Sequence, residues 1–358
     1  MSLRDTATWA EIRQQPAVWE ALAADPALAQ ARAWVAGLAP REVWRMGAGT
    51  SAFVGDIVAA GLEGVPGPRV RAVPTTDLVS RPRAFLPTDA LVVQFGRSGD
   101  STESVGVMDA LDALSPATPR LHVTCNPQGQ LARRPAPGPA FVLQLPEAAH
   151  DQGFAMTSSF SGMLLAALAI LAPEGATPTP IPGSIPGPIP ALAARLRDLL
   201  PRFEAFAAEA RVPERAVFLG AGPLAMAARE GALKVMELAR GAIPCLWDST
   251  LGFRHGPKSF VQGATDVILF LSPDPQAALY DADLAAELRA QFPASRVTTL
   301  GPGGDLDVPM PEGAPWGAAL AVPLAQVLAA TWSDRLGLNV DDPFAGAGTL
   351  ARVVTGVR

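Results

Sequence analysis

Short apolar runs alternate with longer alanine-rich stretches along most of this 358-residue chain. Five of the runs have the length of a β-strand, and they cover residues 91–95, 121–124, 141–145, 267–271 and 296–300. The stretches between them, such as residues 105–114 and 191–210, have helical character. Strands that alternate with helices predict an α/β fold, with parallel sheets flanked by helices in the flavodoxin-like, doubly wound arrangement.

The same pattern occurs twice along the chain. Residues 43–49 end in Gly-Ala-Gly and match residues 216–222, so that Gly47 and Gly220 are 173 positions apart. Residues 91–95 with Ser98 match residues 267–271 with Ser272, and the two serines are 174 positions apart. Two strand-turn-helix signatures in the same order at nearly one offset indicate a duplication. We therefore predict two tandem domains.

A proline-rich segment at residues 177–190 separates the two copies. Proline fixes φ and lacks an amide donor, so this segment is typical of an extended linker and not of a helix or a central strand. The predicted boundaries are an N-terminal helical segment at 1–34, a first domain at 35–175, a linker at 176–192, a second domain at 193–340 and a C-terminal tail at 341–358.

A hydroxyl-rich turn follows the strand at residues 91–95. It runs from Gly96 to Ser104 and leads into a helical stretch, so free amides, the positive helix end and several hydroxyls could hold a phosphate monoester. The alternative is a group of capping residues that only complete their own helix. In the second copy the turn contains Pro273 and Pro275 and fewer hydroxyls, which predicts that it does not bind phosphate.

A second candidate anion site follows the strand at residues 43–46. Thr50 and Ser51 could cap a helix there or contact the same anion. The third glycine of a Gly-x-Gly-x-x-Gly fingerprint falls at Ala52, and no convincing acidic partner stands about 20 residues further on. We therefore expect neither a nicotinamide nor any other cofactor.

Glu230, Lys234 and Glu237 lie in a predicted helix, and their spacings of four and three residues place them on one face. Taken alone, such a set is typical of a solvent-exposed ladder of charges.

His255 lies in a loop broken by glycine and proline, beside Arg254 and Lys258. A loop histidine of this kind could act as a proton shuttle, and the alternative is an ordinary surface histidine. We expect His122, which lies within a strand pattern, and His150 to be of the ordinary, structural kind.

Composition and charge exclude several classes of function. The net charge is −6, the pI is near 5.2, and no run of lysine or arginine indicates a nucleic-acid or membrane partner. Cys125 and Cys245 show neither zinc-ligand nor disulfide spacing, so we expect no metal. The first 20 residues lack the apolar run of a signal peptide, and we expect no membrane span of about 18 residues. A cytoplasmic location is expected.

Taken together and in order, these segments resemble the tandem sugar isomerase (SIS) domain proteins. Those that carry the resemblance are residues 47–51, 96–101, 124–127, 155–161, 230–237, 252–258 and 352–357. Within the family they look most like the tagatose-6-phosphate ketose/aldose isomerase type, also described as galactosamine-6-phosphate deaminase/isomerase. The isomerase half of the glutamine-dependent glucosamine-6-phosphate synthases is a more distant relative. The resemblance covers nearly the whole chain from about Val43 onward.

The resemblance implies roles for individual residues. Glu237 corresponds to the base that moves a proton between C1 and C2, and Lys234 is a candidate for polarising the substrate oxygen. His255 corresponds to a ring-opening histidine that comes from the neighbouring subunit in the synthases, which implies a homodimer with shared sites. The implied phosphate-binding residues are Thr50, Ser51, Arg97, Ser98, Gly99 and Ser101, and the implied substrate-binding residues are Thr157, Ser158 and Arg352.

The chain departs from the synthase pattern in three places. Gly96 stands where the phosphate loop has its first serine, so one hydroxyl is lost. Ser2 stands where the synthases have a nucleophilic cysteine, and the chain has no glutaminase domain, so it cannot make ammonia from glutamine. Arg352 replaces a lysine near the C-terminus, and an arginine cannot form a Schiff base.

The expected function is a phosphosugar aldose/ketose isomerase that deaminates an amino-sugar 6-phosphate, converting galactosamine 6-phosphate to tagatose 6-phosphate and ammonia. One alternative is a deglycase that cleaves fructosyl-amine 6-phosphates with the same phosphate turn and a similar base. Another is a non-catalytic phosphosugar-binding regulator, although the segment before Val43 is too short and too acidic for a convincing DNA-binding attachment.

Overall fold

The computed structural model describes residues 2–172 and 188–356 of the chain. These residues form two compact units, each built around one five-stranded sheet. We call residues 14–151, 156–193 and 347–358 the first-sheet unit, and residues 1–13, 152–155 and 194–346 the second-sheet unit.

The first sheet has the strand order β2-β1-β3-β4-β5, and every pair is parallel. Its strands are β1 (Glu42–Met46), β2 (Arg69–Ala72), β3 (Ala90–Gly96), β4 (Arg120–Thr124) and β5 (Ala140–Gln144). The helices between residues 7 and 171 are α1 (Ala7–Ala24), α2 (Pro26–Leu38), α3 (Thr50–Gly61), α4 (Thr75–Ser80), α5 (Thr102–Leu114), α6 (Gln130–Arg133) and α7 (Ser158–Leu171). β3 is buried along its whole length, as a continuous apolar run in a parallel sheet requires.

The second sheet is also parallel, with the order β10-β9-β8-β6-β7. Its strands are β6 (Arg215–Gly220), β7 (Cys245–Ser249), β8 (Thr265–Phe270), β9 (Arg296–Gly301) and β10 (Leu306–Asp307). The remaining helices are α8 (Ile189–Glu209), α9 (Pro223–Leu238), α10 (Pro275–Gln291) and α11 (Ala314–Arg335). In chain order, both sheets follow the pattern 2-1-3-4-5. The predicted fold of two duplicated, doubly wound α/β domains is confirmed.

The repeated Gly-Ala-Gly has the same structural cause in both units. A Cβ on Gly47 would lie 2.4 Å from the Ser51 carbonyl carbon, and one on Gly220 would lie 2.7 Å from the Leu224 carbonyl carbon. Only glycine therefore lets the following helix begin so close to the strand. Gly49 and Gly222 have φ values of +55° and +53°, which other residues rarely adopt.

Several boundaries differ from those expected. α2 continues to Leu38, beyond the predicted end of the N-terminal segment at residue 34, and α8 begins at Ile189. The predicted linker otherwise lies outside the described residues as far as residue 187. α11 is long and apolar enough to cross a membrane, which the sequence analysis did not expect, but 89% of its apolar window is buried inside the structure. Its length and composition are those of a core helix.

Candidate active site

The hydroxyl-rich turn lies between β3 and α5 in the first-sheet unit. Ser101 caps α5, because its Oγ accepts a hydrogen bond of 3.2 Å from the Ser104 amide. The Ser98 Oγ accepts a bond of 3.3 Å from the Asp100 amide. Gly99 between them has φ +73°. The capping role considered as an alternative is therefore filled by Ser101, while Ser98 closes the turn.

A neighbouring loop after β4 fixes the backbone of this turn. The Asp100 carboxylate accepts bonds from the Gln130 amide at 2.8 Å and from the Asn126 Nδ2 at 3.4 Å. The Asn126 Nδ2 also lies 3.0 Å from the Ser98 carbonyl oxygen, to which it donates. These bonds hold the turn in one conformation.

The second hydroxyl pair lies at the start of α3. Thr50 and Ser51 are buried, and no side chain caps this helix because its N-cap residue is Gly49. β1 and β3 are neighbours in the parallel sheet, so the N-termini of α3 and α5 lie at the same carboxyl edge. That edge is where ligands bind in open α/β sheets.

The C-terminal tail contacts the hydroxyl-rich turn within the first-sheet unit. The Arg97 Nη2 donates to the Arg352 carbonyl oxygen at 3.0 Å, and the Thr102 amide donates to the Val354 carbonyl oxygen at 3.1 Å. Arg352 is therefore brought to the predicted phosphate residues. The tail therefore accepts a hydrogen bond from the first amide of α5.

His150 lies in the same electrostatic environment, which the sequence analysis missed. Burial lowers the pKa of His150, and the positive charges of Arg352 and Arg97 lower it further. The histidine is therefore close to two cations of the turn. Nothing in its local sequence distinguishes it, because only the fold brings residues 97, 150 and 352 together.

Thr157 and Ser158 lie at the N-terminus of α7, where they bond to Asp151. The Asp151 carboxylate accepts from the Thr157 amide at 2.8 Å, the Thr157 Oγ1 at 2.9 Å, the Ser158 amide at 3.0 Å and the Ser159 amide at 2.9 Å. Thr157 and Ser158 are fully buried. Their visible role is to hold the start of this helix, and their predicted contact with substrate stays a prediction.

The charged set on α9 lies in the second-sheet unit and is not an exposed ladder. The Lys234 Nζ lies 2.7 Å from the Glu237 Oε2 and 3.3 Å from the Glu230 Oε1. Lys234 and Glu230 have no exposed side-chain surface, whereas the Glu237 side chain is 24% exposed. Burial alone would lower the pKa of Lys234, but the two carboxylates outweigh it and raise that pKa. Lys234 therefore stays protonated between two acids.

His255 ends a 3-10 turn, Gly252–His255, and is exposed. The cations beside it are paired with α10: the Arg254 Nη2 lies 2.7 Å from the Asp283 carboxylate, and Lys258 pairs with Glu287. Arg254 also contacts Glu287, and together the two cations lower the pKa of that carboxyl. The loop is thus tied down on both sides of a histidine that itself faces outward.

In the second copy's equivalent turn, backbone amides donate to carboxylates of the chain itself. Asp274 caps α10 by accepting from the Gln276 and Ala277 amides at 3.0 and 2.9 Å. The buried Asp281 accepts from the Ser272 amide at 2.8 Å. These amides are therefore engaged, which adds to the loss of donors at Pro273 and Pro275.

No group of three or more His, Cys, Asp and Glu side chains that could hold a metal ion occurs among residues 2–172 and 188–356. The predicted site residues thus form two sets. The phosphate-binding and substrate-binding candidates belong to the first-sheet unit, and Lys234, Glu237 and His255 belong to the second-sheet unit.

Comparison with known proteins gives three kinds of similarity. The SIS domain family matches residues 40–173. D-galactosamine-6-phosphate deaminase AgaS of Escherichia coli is 39% identical over 324 residues, which cover 87% of this chain and 83% of that protein. The tagatose-6-phosphate ketose/aldose isomerase structure from Escherichia coli superposes with a TM-score of 0.85 at 34% identity, covering 96% of this chain and 97% of the other.

A more distant similarity shows the fold alone. The C-terminal domain of glucosamine-fructose-6-phosphate aminotransferase from Francisella tularensis superposes with a TM-score of 0.76 at 16% identity, covering 96% of this chain and 100% of that chain.

Proposed function

The chain belongs to the SIS domain family, as a relative of D-galactosamine-6-phosphate deaminase AgaS, and from this premise we propose that it is a phosphosugar isomerase that also deaminates its substrate. The proposed reaction converts galactosamine 6-phosphate to tagatose 6-phosphate and ammonia. The observation that carries the proposal is the Glu237 carboxylate. Within the buried Glu-Lys-Glu set of α9 it keeps an exposed surface while the other two members do not.

The chemistry requires only a group that takes a proton and returns it. In the open-chain amino aldose, the Glu237 carboxylate removes the proton from C2 while O1 gains a proton, which gives an enolamine. Glu237 then delivers its proton to C1 and leaves an imine at C2. Water adds to this imine, ammonia leaves, and C2 becomes the ketone. A carboxylate within reach of both carbons suits these transfers.

Lys234 is assigned a role that acts through Glu237. Its ammonium is fully buried and contacts the carboxylates of Glu237 and Glu230. This supports a role in orienting the Glu237 carboxylate more than direct polarisation of a substrate oxygen.

Phosphate recognition is assigned to the first-sheet unit. The supporting features are the preorganised turn of Ser98, Gly99 and Ser101, the Thr50 and Ser51 hydroxyls at the start of α3, and the nearby Arg97. Arg352 adds a second cation to the same region through the tail. A cluster of hydroxyls and arginines matches the charge and acceptor oxygens of a phosphate monoester.

The proposal includes a cytoplasmic homodimer in which His255 assists ring opening in the partner's substrate. The exposure of His255 supports this, because an outward-facing histidine is available to a second subunit. Sedimentation or light scattering measures the oligomeric state. Mixing inactive Glu237→Gln and His255→Ala chains would restore activity if sites are shared, whereas no recovery would favour separate sites.

The test is incubation of the purified protein with galactosamine 6-phosphate, glucosamine 6-phosphate and fructosyl-lysine 6-phosphate, with ammonia and ketose phosphate measured in each. Ammonia and tagatose 6-phosphate from the first substrate are expected. Release of lysine from the third alone would instead favour the deglycase. Tight binding of phosphosugars without turnover of any would favour the regulator. A Ser98→Ala/Ser101→Ala double variant should raise KM for the preferred phosphosugar, because it removes two hydroxyls of the turn.

A further inference from the structure

Glu230 is a fully buried carboxylate that has no role in the reaction as described so far. It lies one helical turn before Lys234 on α9, and its Oε1 is 3.3 Å from the Lys234 Nζ. The helix packs tightly at this level: a Cβ on the adjacent Gly231 would lie 2.9 Å from the Phe218 ring and 3.1 Å from the Ala325 methyl carbon. A charged group in such packing is costly unless it is paired.

We propose that Glu230 is a positioning residue for the Glu237 base, acting through the Lys234 ammonium that both carboxylates contact. The proposal rests on the assignment of Glu237 as the base. Because the carboxylates contact one nitrogen at 3.3 and 2.7 Å, their contacting oxygens lie at most about 6 Å apart. Glu230 holds the ammonium from the buried side, and this fixes the point toward which the Glu237 carboxylate is oriented.

Both carboxylates contact the same ammonium, at 2.7 Å from Glu237 and 3.3 Å from Glu230. Without the Glu230 carboxylate, the Lys234 ammonium would lose its contact on the buried side and could move. The Glu237 carboxylate, which pairs with that ammonium, would then lose its fixed orientation.

Other charges near α9 belong to separate contacts. α9 packs against β6, β7, β8 and α11. The charged residues of the three strands bond elsewhere: Arg215 to the Phe260 carbonyl, Asp248 to Ser249, and Asp266 to Arg296. On α11, Arg335 bonds to the Ala208 and Ala210 carbonyls, and Asp334 is exposed near the end of the helix. The charges that act on Lys234 are those of Glu230 and Glu237.

The test is the Glu230→Gln variant, which keeps the side-chain shape and removes the charge. Its kcat for the preferred amino-sugar phosphate should fall by about tenfold with KM nearly unchanged, because the base is misplaced while phosphate binding is assigned to other residues. A variant that only loses stability would show no such separation of kcat from KM.

Glu312→Gln is the matched control. The Glu312 side chain is 3% exposed and pairs with Arg195 at 2.9 Å, in the same unit, and neither residue is part of α9. It should lose stability comparably while its kcat stays as in the wild type. If Glu230→Gln only lowered the melting temperature, as Glu312→Gln should, and kept the wild-type kcat, the proposal would be overturned.

A second variant carries the test if Glu230→Gln does not fold. Glu230→Asp keeps the carboxylate but shortens the side chain, so kcat should fall with KM nearly unchanged. A wild-type kcat would overturn the positioning role. If the assignment of Glu237 as the base is wrong, the Glu237→Gln variant will retain turnover. If Glu237→Gln is inactive but the Glu230 variants are fully active, only the proposed role of Glu230 is refuted.

Discussion

Asp151 holds the start of α7, and its replacement by alanine measures how strongly the fold depends on a buried carboxylate. α7 is buried along its whole length, from Ser158 to Leu171. The Asp151 carboxylate accepts from three amides and two hydroxyls at the N-terminus of this helix, and Asp151 itself has no exposed surface. Water cannot replace the carboxylate there without rearrangement of the surrounding residues.

The expected cost follows from the groups left behind. Each buried donor without an acceptor costs about 1–3 kcal/mol, and the two hydroxyls can rotate toward other acceptors. The three amides then predict a loss of about 3–9 kcal/mol for Asp151→Ala. Domains are typically stable by about 5–15 kcal/mol, so this is a large fraction of the total.

Urea unfolding followed by tryptophan fluorescence and circular dichroism measures the loss. Asp274→Ala is the control, because Asp274 caps α10 with two amide contacts but is exposed. An exposed cap should cost about 1 kcal/mol. If the two variants lost the same free energy of unfolding, burial of the Asp151 contacts would not matter and the reasoning would be refuted.

Two further changes test the first-sheet unit. Burial and then the charge of Arg120 lower the pKa of His122 from 6.5 to about 4, so the folded state excludes the proton that the unfolded chain binds. Neutral His122 therefore costs nothing above pH 6.5, and the free energy of unfolding should fall by about 3 kcal/mol as the pH drops from 6.5 to about 4. The His122→Gln variant should lack this part of the pH dependence. Parallel curves of unfolding free energy against pH for the two proteins would contradict the prediction. Gly99→Ala should raise KM for the phosphosugar about tenfold, because φ at Gly99 is +73° and the new Cβ would lie 3.1 Å from the Leu131 Cβ. Gly37→Ala is the control, because a Cβ there meets open space, and its KM should stay unchanged. An equal KM in the two variants would exclude the turn from phosphosugar binding.

The sheets were predictable because their central strands are continuous apolar runs. β3, β4, β8 and β9 all fall where the sequence pattern places them, and the repeated glycines reveal the duplication. β2, β7 and β10 were not anticipated. β2 has only partial burial on alternate residues, β7 is only partly buried along its length, and β10 is two residues long, so none of them gives a buried apolar run.

The site was predictable in composition but not in environment. A spacing of three and four residues places Glu230, Lys234 and Glu237 on one helix face, yet it does not say whether that face meets solvent or α11. The structure buries Lys234 and Glu230, so interpretation of the set as an exposed ladder was wrong. The approach of Arg352 and His150 to the turn depends on contacts between residues far apart in the chain.

The most direct test of the account is turnover of galactosamine 6-phosphate by Glu237→Gln, with substrate affinity measured on the same preparation by calorimetry. The variant keeps the shape of the side chain and loses the base. We predict a fall in turnover of about a thousandfold, with the dissociation constant for the phosphosugar within about threefold of the wild type, because phosphate recognition is assigned elsewhere. Turnover within tenfold of the wild type would contradict the assignment of Glu237 as the proton-transferring base.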